Sequence, residues 1–333
     1  MQPNNEQEIK KLLNKIFENS KNRKLTFLLV GLSGVGKSST INSLMGVDIA
    51  KVGDFVPTTD NVDKYDTDIN GIPCTFIDTP GFADGKNKEY EYIEIIRKLI
   101  PSIDCMLYVT PLINSRILDD EQKAISTISN AFCNECWEKS VIVFTKADLC
   151  QNNRIYWYYV ENRRKLFRKE IAKHTSPEIA NKIPSVAVVN SQIDGKPLPT
   201  PDGNPWLGVL YYLVIKRISK AGLTNFFIAT APRLDTGETG LKSFPHELSF
   251  RSEKEFVKNN NQLINPIKLN PEQNLTIERT IKERGSVDLV GLATLAGTLS
   301  AAGGAIAGPA GVVAGTVLGL IGGLVIQFWS SRS

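Results

Sequence analysis

Residues 31–38 have the sequence GLSGVGKS, which combines three glycines with a lysine and a serine at its end. This spacing matches G-x-x-x-x-G-K-[ST], in which glycine backbone N–H groups surround phosphate oxygens. In that pattern Lys37 reaches the β- and γ-phosphates, and the Ser38 hydroxyl binds Mg²⁺. By itself the stretch has an alternative interpretation, a glycine-rich turn without a ligand. The predicted phosphate-binding residues are Gly31, Ser33, Gly34, Val35, Gly36, Lys37, Ser38 and Ser39.

Two later segments could complete a metal site beside these phosphates. Asp78-Thr79-Pro80-Gly81 follows an apolar strand, so that Asp78 can hold Mg²⁺ through water and the Gly81 N–H can contact the γ-phosphate. Thr58 and Thr59 lie in the polar loop 47–62, where one threonine would complete the metal shell. We favour Thr59 and keep Thr58 as the alternative. The predicted metal ligands are therefore Ser38, Thr59 and Asp78.

A base-binding element follows at Thr145-Lys146-Ala147-Asp148. A carboxylate at Asp148 can accept from N1–H and from the exocyclic amine of guanine, while the stem of Lys146 covers the ring. Adenine lacks these donors, so the element favours GTP or GDP over ATP. Asn190 and Ser191, after the next predicted strand, would complete the base pocket.

These motifs fall at the ends of predicted strands in a chain where strands and helices alternate. Strands over 63–69 and 73–77 are joined by Asn70-Gly71, a strong signal for a hairpin. The pattern predicts an α/β fold of the P-loop NTPase type, with a doubly wound, mostly parallel sheet and one antiparallel edge strand. Ligands of such sheets bind at the carboxyl ends of the strands, where all the motifs lie.

Four regions are predicted along the chain. Residues 1–24 contain an amphipathic helix, which either packs on the domain edge, the interpretation we favour, or lies on a membrane surface. Residues 25–222 form the nucleotide domain. Residues 223–286, rich in Asn, Pro, Gly, Ser and charge, are interpreted as a linker with some local order, including a helix expected at Leu275–Glu283. Residues 287–333 form a glycine-rich membrane segment.

Composition limits the function classes. The chain has 333 residues with 39 Lys+Arg against 35 Asp+Glu, and no basic patch with interleaved aromatics that would indicate a nucleic-acid partner. The five cysteines are scattered and odd in number, which favours free thiols in a reducing compartment. The amino terminus has no apolar run of the secretory type.

The stretch Leu289–Trp329 contains no charged residue and is roughly twice the ~20 residues that cross a bilayer as one helix. Gly308-Pro309-Ala310-Gly311 divides it, which predicts a helical hairpin. A single span over Val312–Trp329 and a hairpin buried in a soluble assembly are the alternatives. We expect a membrane protein, anchored near its C-terminus, with the nucleotide domain facing the cytosol.

The segments GVGKSSTINSLMG, IDTPGF and CMLYVTPLINSR resemble the septin-related (paraseptin) GTPases. This group includes the immunity-associated GTPases and the Toc receptor GTPases of the chloroplast envelope, and the resemblance covers roughly Leu25–Ser219. It implies GTP binding, slow hydrolysis and nucleotide-dependent homodimers formed across the nucleotide face. Arg116 falls where this group places an arginine that reaches toward the partner's nucleotide.

The residue after Gly81 is Phe82, which cannot orient an attacking water as a glutamine does. We therefore expect slow hydrolysis that depends on a partner, with Lys37, Thr59 and Arg116 as the catalytic candidates. A surface arginine paired with Asp119 or Asp120 is the alternative for Arg116.

Three functions compete: a dimerising switch or scaffold on a membrane, a preprotein receptor of the Toc type, and a protein that remodels or permeabilises membranes.

Overall fold

The computed structural model describes residues 3–49, 63–79, 94, 97, 103–193, 196–235, 266–294 and 321. Several predicted features lie outside the described residues. They are Thr58 and Thr59 of the predicted metal loop, Gly81, Phe82, and nearly all of the charge-free stretch.

A six-stranded sheet forms the centre of the fold, in the order β2-β3-β1-β4-β5-β6. Five strands are parallel and β2 is antiparallel to β3, which confirms the predicted doubly wound sheet with one antiparallel edge. Asn70 and Gly71 have φ values of 51° and 74°, the positive values that a two-residue hairpin loop requires. The six strands are β1 (Leu25–Val30), β2 (Asp63–Ile69), β3 (Ile72–Asp78), β4 (Cys105–Pro111), β5 (Ser140–Thr145) and β6 (Ser185–Ala187).

Helices cover both faces of this sheet, which is why β1 and β5 are buried along their whole length. The helices are α1 (Pro3–Lys21), α2 (Lys37–Met45), α3 (Asp119–Glu138), α4 (Asn153–Ala172), α5 (Pro177–Lys182), α6 (Trp206–Arg217), α7 (Lys220–Thr230) and α8 (Pro271–Arg284). One group contains α3, α4 and α5, and the other contains α1, α2, α6 and α7. Two short pairs lie outside the sheet, β7 (Gln192–Ile193) with β8 (Lys196–Pro197) and β9 (Leu234–Asp235) with β10 (Ile267–Lys268).

The predicted linker over 223–286 is interrupted at its start by α7, an ordered helix packed on the domain that the linker interpretation did not include. Near its end, α8 is helical over Pro271–Arg284, which agrees with the helix expected at Leu275–Glu283. Phe226 and Phe227 of α7 are fully buried, and Phe226 packs on Phe27 of β1. The polar composition of the whole segment concealed this short apolar helix at its start. Residues 236–265 lie outside the described part of the chain.

The start of α7 is fixed by Asp104, a fully buried carboxylate at the amino end of β4. Its oxygens accept from Arg23 at 2.5 and 3.0 Å, from the Thr26 N–H at 3.0 Å and from the Ser219 hydroxyl. Several hydrogen bonds and a paired charge compensate the cost of burying a carboxylate. Asp104 therefore joins the α1–β1 connection to α7. This junction lies at the amino ends of the parallel strands, whereas the predicted site lies at their carboxyl ends.

Helix α1 packs on the domain as the favoured interpretation required, with four apolar side chains of one face buried: Ile9, Leu13, Ile16 and Phe17. Residues 287–294, which begin the predicted membrane segment, are also helical and lie against α1. Asp288 is 3.4 Å from Lys15 Nζ and accepts a 3.3 Å hydrogen bond from Asn19, while Leu289 and Leu292 are fully buried. Within the described ranges, no helix is both long enough and apolar enough to cross a membrane.

Candidate functional site

The loop between β1 and α2 has the backbone geometry that its glycines permit. Gly31 has φ 149°, and a Cβ at this position would lie 2.1 Å from the Val109 carbonyl oxygen of β4. Gly36 has φ 99° and precedes the first residue of α2. Both conformations are costly for other residues, so the glycines allow the loop to turn tightly against β4 and start a helix. The N-terminus of α2 thereby faces the loop, as in anion-binding sites.

Lys37, Ser38 and Asp78 form one polar cluster between this loop and the carboxyl end of β3. The Lys37 ammonium donates to the carbonyl oxygens of Gly31 and Leu32 at 3.2 Å each, and lies 3.5 Å from Asp78 Oδ1. The Ser38 hydroxyl donates to Asp78 Oδ2 at 3.1 Å. Lys37 and Asp78 are 6% and 3% exposed, so both charges are held out of bulk water. Two of the three predicted metal ligands are therefore adjacent.

This donor set fits Mg²⁺. The cation prefers hard oxygen ligands, and it is usually bound by one or two protein oxygens together with substrate phosphates and water. A hydroxyl and a carboxylate at contact distance, beside a lysine suited to phosphate, match that pattern. The third predicted ligand, Thr59, lies outside the described residues.

The predicted base loop follows β5 at the same edge of the sheet. Lys146 is exposed and has φ 58°, which turns the chain so that Ala147 is buried and Asp148 is exposed. Asp148 Oδ2 accepts a 3.0 Å hydrogen bond from the Ser191 hydroxyl on the loop after β6. The contact joins the two predicted base-binding loops and leaves a carboxylate available to a base.

Burial raises the pKa of the adjacent Cys150 thiol, so that group stays protonated near neutral pH.

Thr145 and Asn190 connect the base side of the site to its phosphate side. The Thr145 hydroxyl, 1% exposed, donates to the Val35 carbonyl oxygen at 2.6 Å. The Asn190 amide donates to Thr40 Oγ1 at 2.9 Å and to the Gly36 carbonyl oxygen at 3.4 Å. Both residues were predicted to contact the base. That role stays a prediction, and the observed contacts show in addition that both residues fix the spacing of the loops, a pairing that could not be read from the sequence.

Arg116 lies on the loop between β4 and α3, and its side chain is exposed. No ion pair to Asp119 or Asp120 is present within the described part of the chain. The backbone of the loop is held from α4, because the Arg163 guanidinium donates to the Arg116 carbonyl oxygen at 2.8 Å. The exposed guanidinium of Arg116 is thus carried on a segment whose backbone is anchored.

Sequence reasoning missed the buried pair that anchors this loop. Arg163 and Glu121, 0% and 1% exposed, are joined at 2.6 Å. Burial, and then the charge of Glu121, raise the pKa of the neighbouring Tyr108 hydroxyl, so that it stays a neutral donor. One signal was available, because Arg163 falls on the apolar face of α4 with Val160 and Phe167. A charge in such a stripe requires a buried partner.

Part of the chain is similar to a described protein family and to known proteins. A family model described as the AIG1 family matches residues 25–179. Translocase of chloroplast 34 from Arabidopsis thaliana is 31% identical over 202 residues, which cover 56% of this chain and 63% of that protein. GTP-binding protein A from Dictyostelium discoideum is 33% identical over 125 residues, covering 36% of this chain and 28% of that protein. The chain thus spans less than two thirds of the length of these relatives.

A solved structure shares the fold. It is Toc33 from Arabidopsis thaliana, described as a dimerization-deficient mutant, with a TM-score of 0.50 and 23% identity. The match covers 68% of this chain and 93% of that chain. At this identity the likeness supports the P-loop α/β architecture alone.

Proposed function

We propose that residues 25–179, which match the AIG1 family model, form a GTPase domain, and that the protein binds guanine nucleotides with Mg²⁺ and hydrolyses GTP. The observation that carries the proposal is the arrangement of Lys37, Ser38 and Asp78 at the same sheet edge as Asp148. Lys37 binds the phosphates, while Ser38 and Asp78, with Thr59, hold the metal. Bound Mg²⁺ supplies positive charge that stabilises charge developing on the phosphates.

Hydrolysis by the isolated chain is slow, and it is stimulated when two copies associate across the nucleotide face. Phe82 offers no group that could orient water, so the monomer lacks one usual component of the reaction. Arg116 is exposed, makes no ion pair among the described residues, and lies on a loop that follows β4 at the same edge. An arginine contributed across a dimer can stabilise the charge of the transition state. The Toc33 mutant named above is described as dimerization-deficient, which motivates the same test in this chain.

Turnover of GTP per molecule, measured for the full-length protein over a wide range of concentration, tests this proposal. We expect turnover per molecule of the wild type to rise with concentration and then saturate, in parallel with a dimer seen by analytical ultracentrifugation. In Arg116→Ala, turnover should stay flat and at least tenfold below the saturated wild type, with GDP affinity unchanged.

The matched control is Arg279→Ala, which removes an exposed arginine from α8. It should behave as the wild type. Turnover that is flat with concentration in the wild type would remove the dimer from the proposal, whereas a folded protein without any GTP binding would overturn the proposal as a whole.

The protein acts at a membrane, which it reaches through the charge-free residues that follow 294. The support is the complete absence of charge over 295–329, a length sufficient for one span after Leu289 and Leu292 have packed on the domain. Anchoring would concentrate the protomers in two dimensions and so favour association. Extraction of the full chain from membranes by carbonate alone would contradict this part, and retention until detergent is added is the expected result.

A second candidate is a receptor for preproteins, and similarity to a protein named Translocase of chloroplast 34 favours it. The discriminating experiment measures binding of a transit peptide to the full-length protein loaded with GDP or with a GTP analogue. Affinity that depends on the nucleotide would support the receptor function. Equal or absent binding in both states would contradict the receptor function.

A further inference from the structure

A continuous series of buried polar contacts joins the phosphate loop to the loop that carries Arg116. It begins at the Val35 carbonyl oxygen, which accepts from the Thr145 hydroxyl at 2.6 Å. The same hydroxyl lies 3.4 Å from the Thr110 carbonyl oxygen at the end of β4. Thr110 Oγ1 accepts from Arg163 Nη2 at 2.8 Å, and Arg163 Nη1 donates to the Arg116 carbonyl oxygen at 2.8 Å.

Glu121 closes this series on the side of α3. Its Oε1 accepts from Arg163 Nη2 at 2.6 Å and from the Thr110 hydroxyl. Its Oε2 accepts from the Leu118 N–H at 2.9 Å, at the carboxyl end of the Arg116 loop. At the amino end of the loop the Leu112 N–H donates to the Thr145 carbonyl oxygen at 2.8 Å. The loop over residues 112–118 is therefore fixed by hydrogen bonds near both of its ends.

The burial of these groups makes the arrangement stiff. Thr110, Glu121, Thr145 and Arg163 are each 2% exposed or less, so no water is available to replace a broken contact. A buried guanidinium that loses its hydrogen-bond partners still bears the free-energy cost of desolvation. The arrangement in which every contact is made is therefore favoured over arrangements with broken contacts.

We propose that Arg163 is a positioning residue, which with Glu121 and Thr110 orders the Arg116 loop and couples it to the phosphate loop. In this role Arg163 contacts neither nucleotide nor partner. It holds the backbone from which Arg116 projects, so occupancy of the phosphate loop changes the order of the segment that faces a second copy. The coupling to nucleotide rests on the proposed function, whereas the anchoring of the loop by Arg163 does not.

The test is hydrogen–deuterium exchange of the full-length protein, followed in peptides covering 31–38 and 112–118, with and without GDP and Mg²⁺. The variant is Glu121→Gln with Arg163→Met, because Arg163→Met alone would leave a buried carboxylate unpaired. Glutamine can still accept from the Leu118 N–H and donate to Thr110. The matched control is Arg164→Met on the same helix, whose guanidinium contacts Glu161 and Ser185 instead of the loop.

In the wild type we expect GDP to slow exchange in both peptides. In the double variant, exchange over 112–118 should be at least tenfold faster without nucleotide and should no longer respond to GDP, while peptide 31–38 is still protected by GDP. Arg164→Met should match the wild type. The proposal is overturned if residues 112–118 exchange in the double variant as they do in the wild type.

The outcomes separate the two claims. If GDP protects neither peptide in the wild type, nucleotide binding fails, yet faster exchange over 112–118 in the double variant still establishes the anchoring role. If GDP protects 31–38 but not 112–118 in the wild type, the coupling is overturned while the proposed function stands. Arg163→Lys with native Glu121 should restore part of the protection, since it keeps the charge but not the forked geometry.

Discussion

The Thr145 hydroxyl at the end of β5 donates to the Val35 carbonyl oxygen of the phosphate loop at 2.6 Å. The two residues are 110 positions apart in the chain, and both are almost fully buried. The bond ties the loop that would hold a base to the loop that would hold phosphates. The bond fixes the distance between the two halves of a nucleotide site, and such preorganisation reduces the cost of binding.

Replacement of this hydroxyl should weaken nucleotide binding. Thr145→Val keeps the shape of the side chain but leaves the Val35 carbonyl oxygen without its donor, at a cost of about 1–1.5 kcal/mol. We expect the Kd for GDP to rise about tenfold. Thr145→Ser retains the hydroxyl and should bind within about twofold of the wild type. Titration of a fluorescent GDP analogue measures both, and equal affinities for valine and serine variants would contradict the role of the bond.

Adjacent serines allow the metal site to be tested. Ser38 contacts Asp78 at 3.1 Å, whereas Ser39 has no such contact in the described part of the chain. Ser38→Ala should raise the Mg²⁺ concentration needed for half-maximal GTP turnover about tenfold, equivalent to roughly 1.4 kcal/mol. Ser39→Ala should leave this Mg²⁺ concentration unchanged, because the backbone N–H through which Ser39 would contact phosphate is kept in alanine. A Mg²⁺ titration at saturating GTP provides the measurement, and an equal effect of both variants would argue against Ser38 as the ligand.

The buried Arg163–Glu121 pair predicts that losing one charge destabilises the protein more than losing both. Arg163→Met alone should lower the free energy of unfolding by about 3–5 kcal/mol, because it leaves Glu121 charged and buried without its partner. Adding Glu121→Gln should recover most of that loss, since an uncharged side chain costs less to bury. Urea denaturation of the single and double variants gives the two values. A double variant less stable than Arg163→Met would contradict this interpretation.

Glu278 on α8 predicts a dependence of stability on pH. Burial raises its pKa from the ordinary 4.5 to about 7, and no hydrogen bond to its Oε1 is present among the described residues. The folded state therefore binds this proton more tightly than the unfolded state does. The stability that Glu278 contributes is complete below about pH 4.5 and is lost as the pH rises through about 7.

Glu278→Gln should remove this dependence. At pH 8 the variant should be more stable than the wild type by on the order of 2 kcal/mol, and the two should converge near pH 5. Glu283→Gln, an exposed carboxylate on the same helix, is the control and should change neither value. Urea denaturation of both proteins at pH 5 and pH 8 gives their free energies of unfolding. A difference between wild type and Glu278→Gln that is the same at both pH values would contradict a raised pKa for Glu278.

The phosphate loop and the sheet could be predicted because their signals are local. The run of Leu25–Val30 and the glycine spacing that follows it determine a strand, a turn and a helix within 21 residues, from Leu25 to Met45. Asn70-Gly71 predicts its hairpin for the same reason, since the positive φ values belong to the two residues themselves.

The contacts of Arg163, Asn190 and α7 could not be predicted, because they depend on residues distant in the chain. Arg163 meets Glu121 across 42 positions, and the Asn190 amide meets Thr40 across 150. Helix α7 was assigned to a linker because composition was averaged over a long polar segment. Its burial follows from Phe27 of β1, against which Phe226 packs with ring centroids 5.7 Å apart.

Calorimetric titration of the full-length protein with GDP, ADP and xanthosine diphosphate, in the presence of Mg²⁺, tests the assignment of a guanine site most directly. We predict that the wild type binds GDP at least about a hundredfold more tightly than ADP, because only guanine satisfies the Asp148 carboxylate. Asp148→Asn should reverse the preference toward xanthine, whose C2 carbonyl can accept from the new amide. Equal affinities for GDP and ADP in the wild type, or an unchanged preference in Asp148→Asn, would contradict a guanine site at this edge of the sheet.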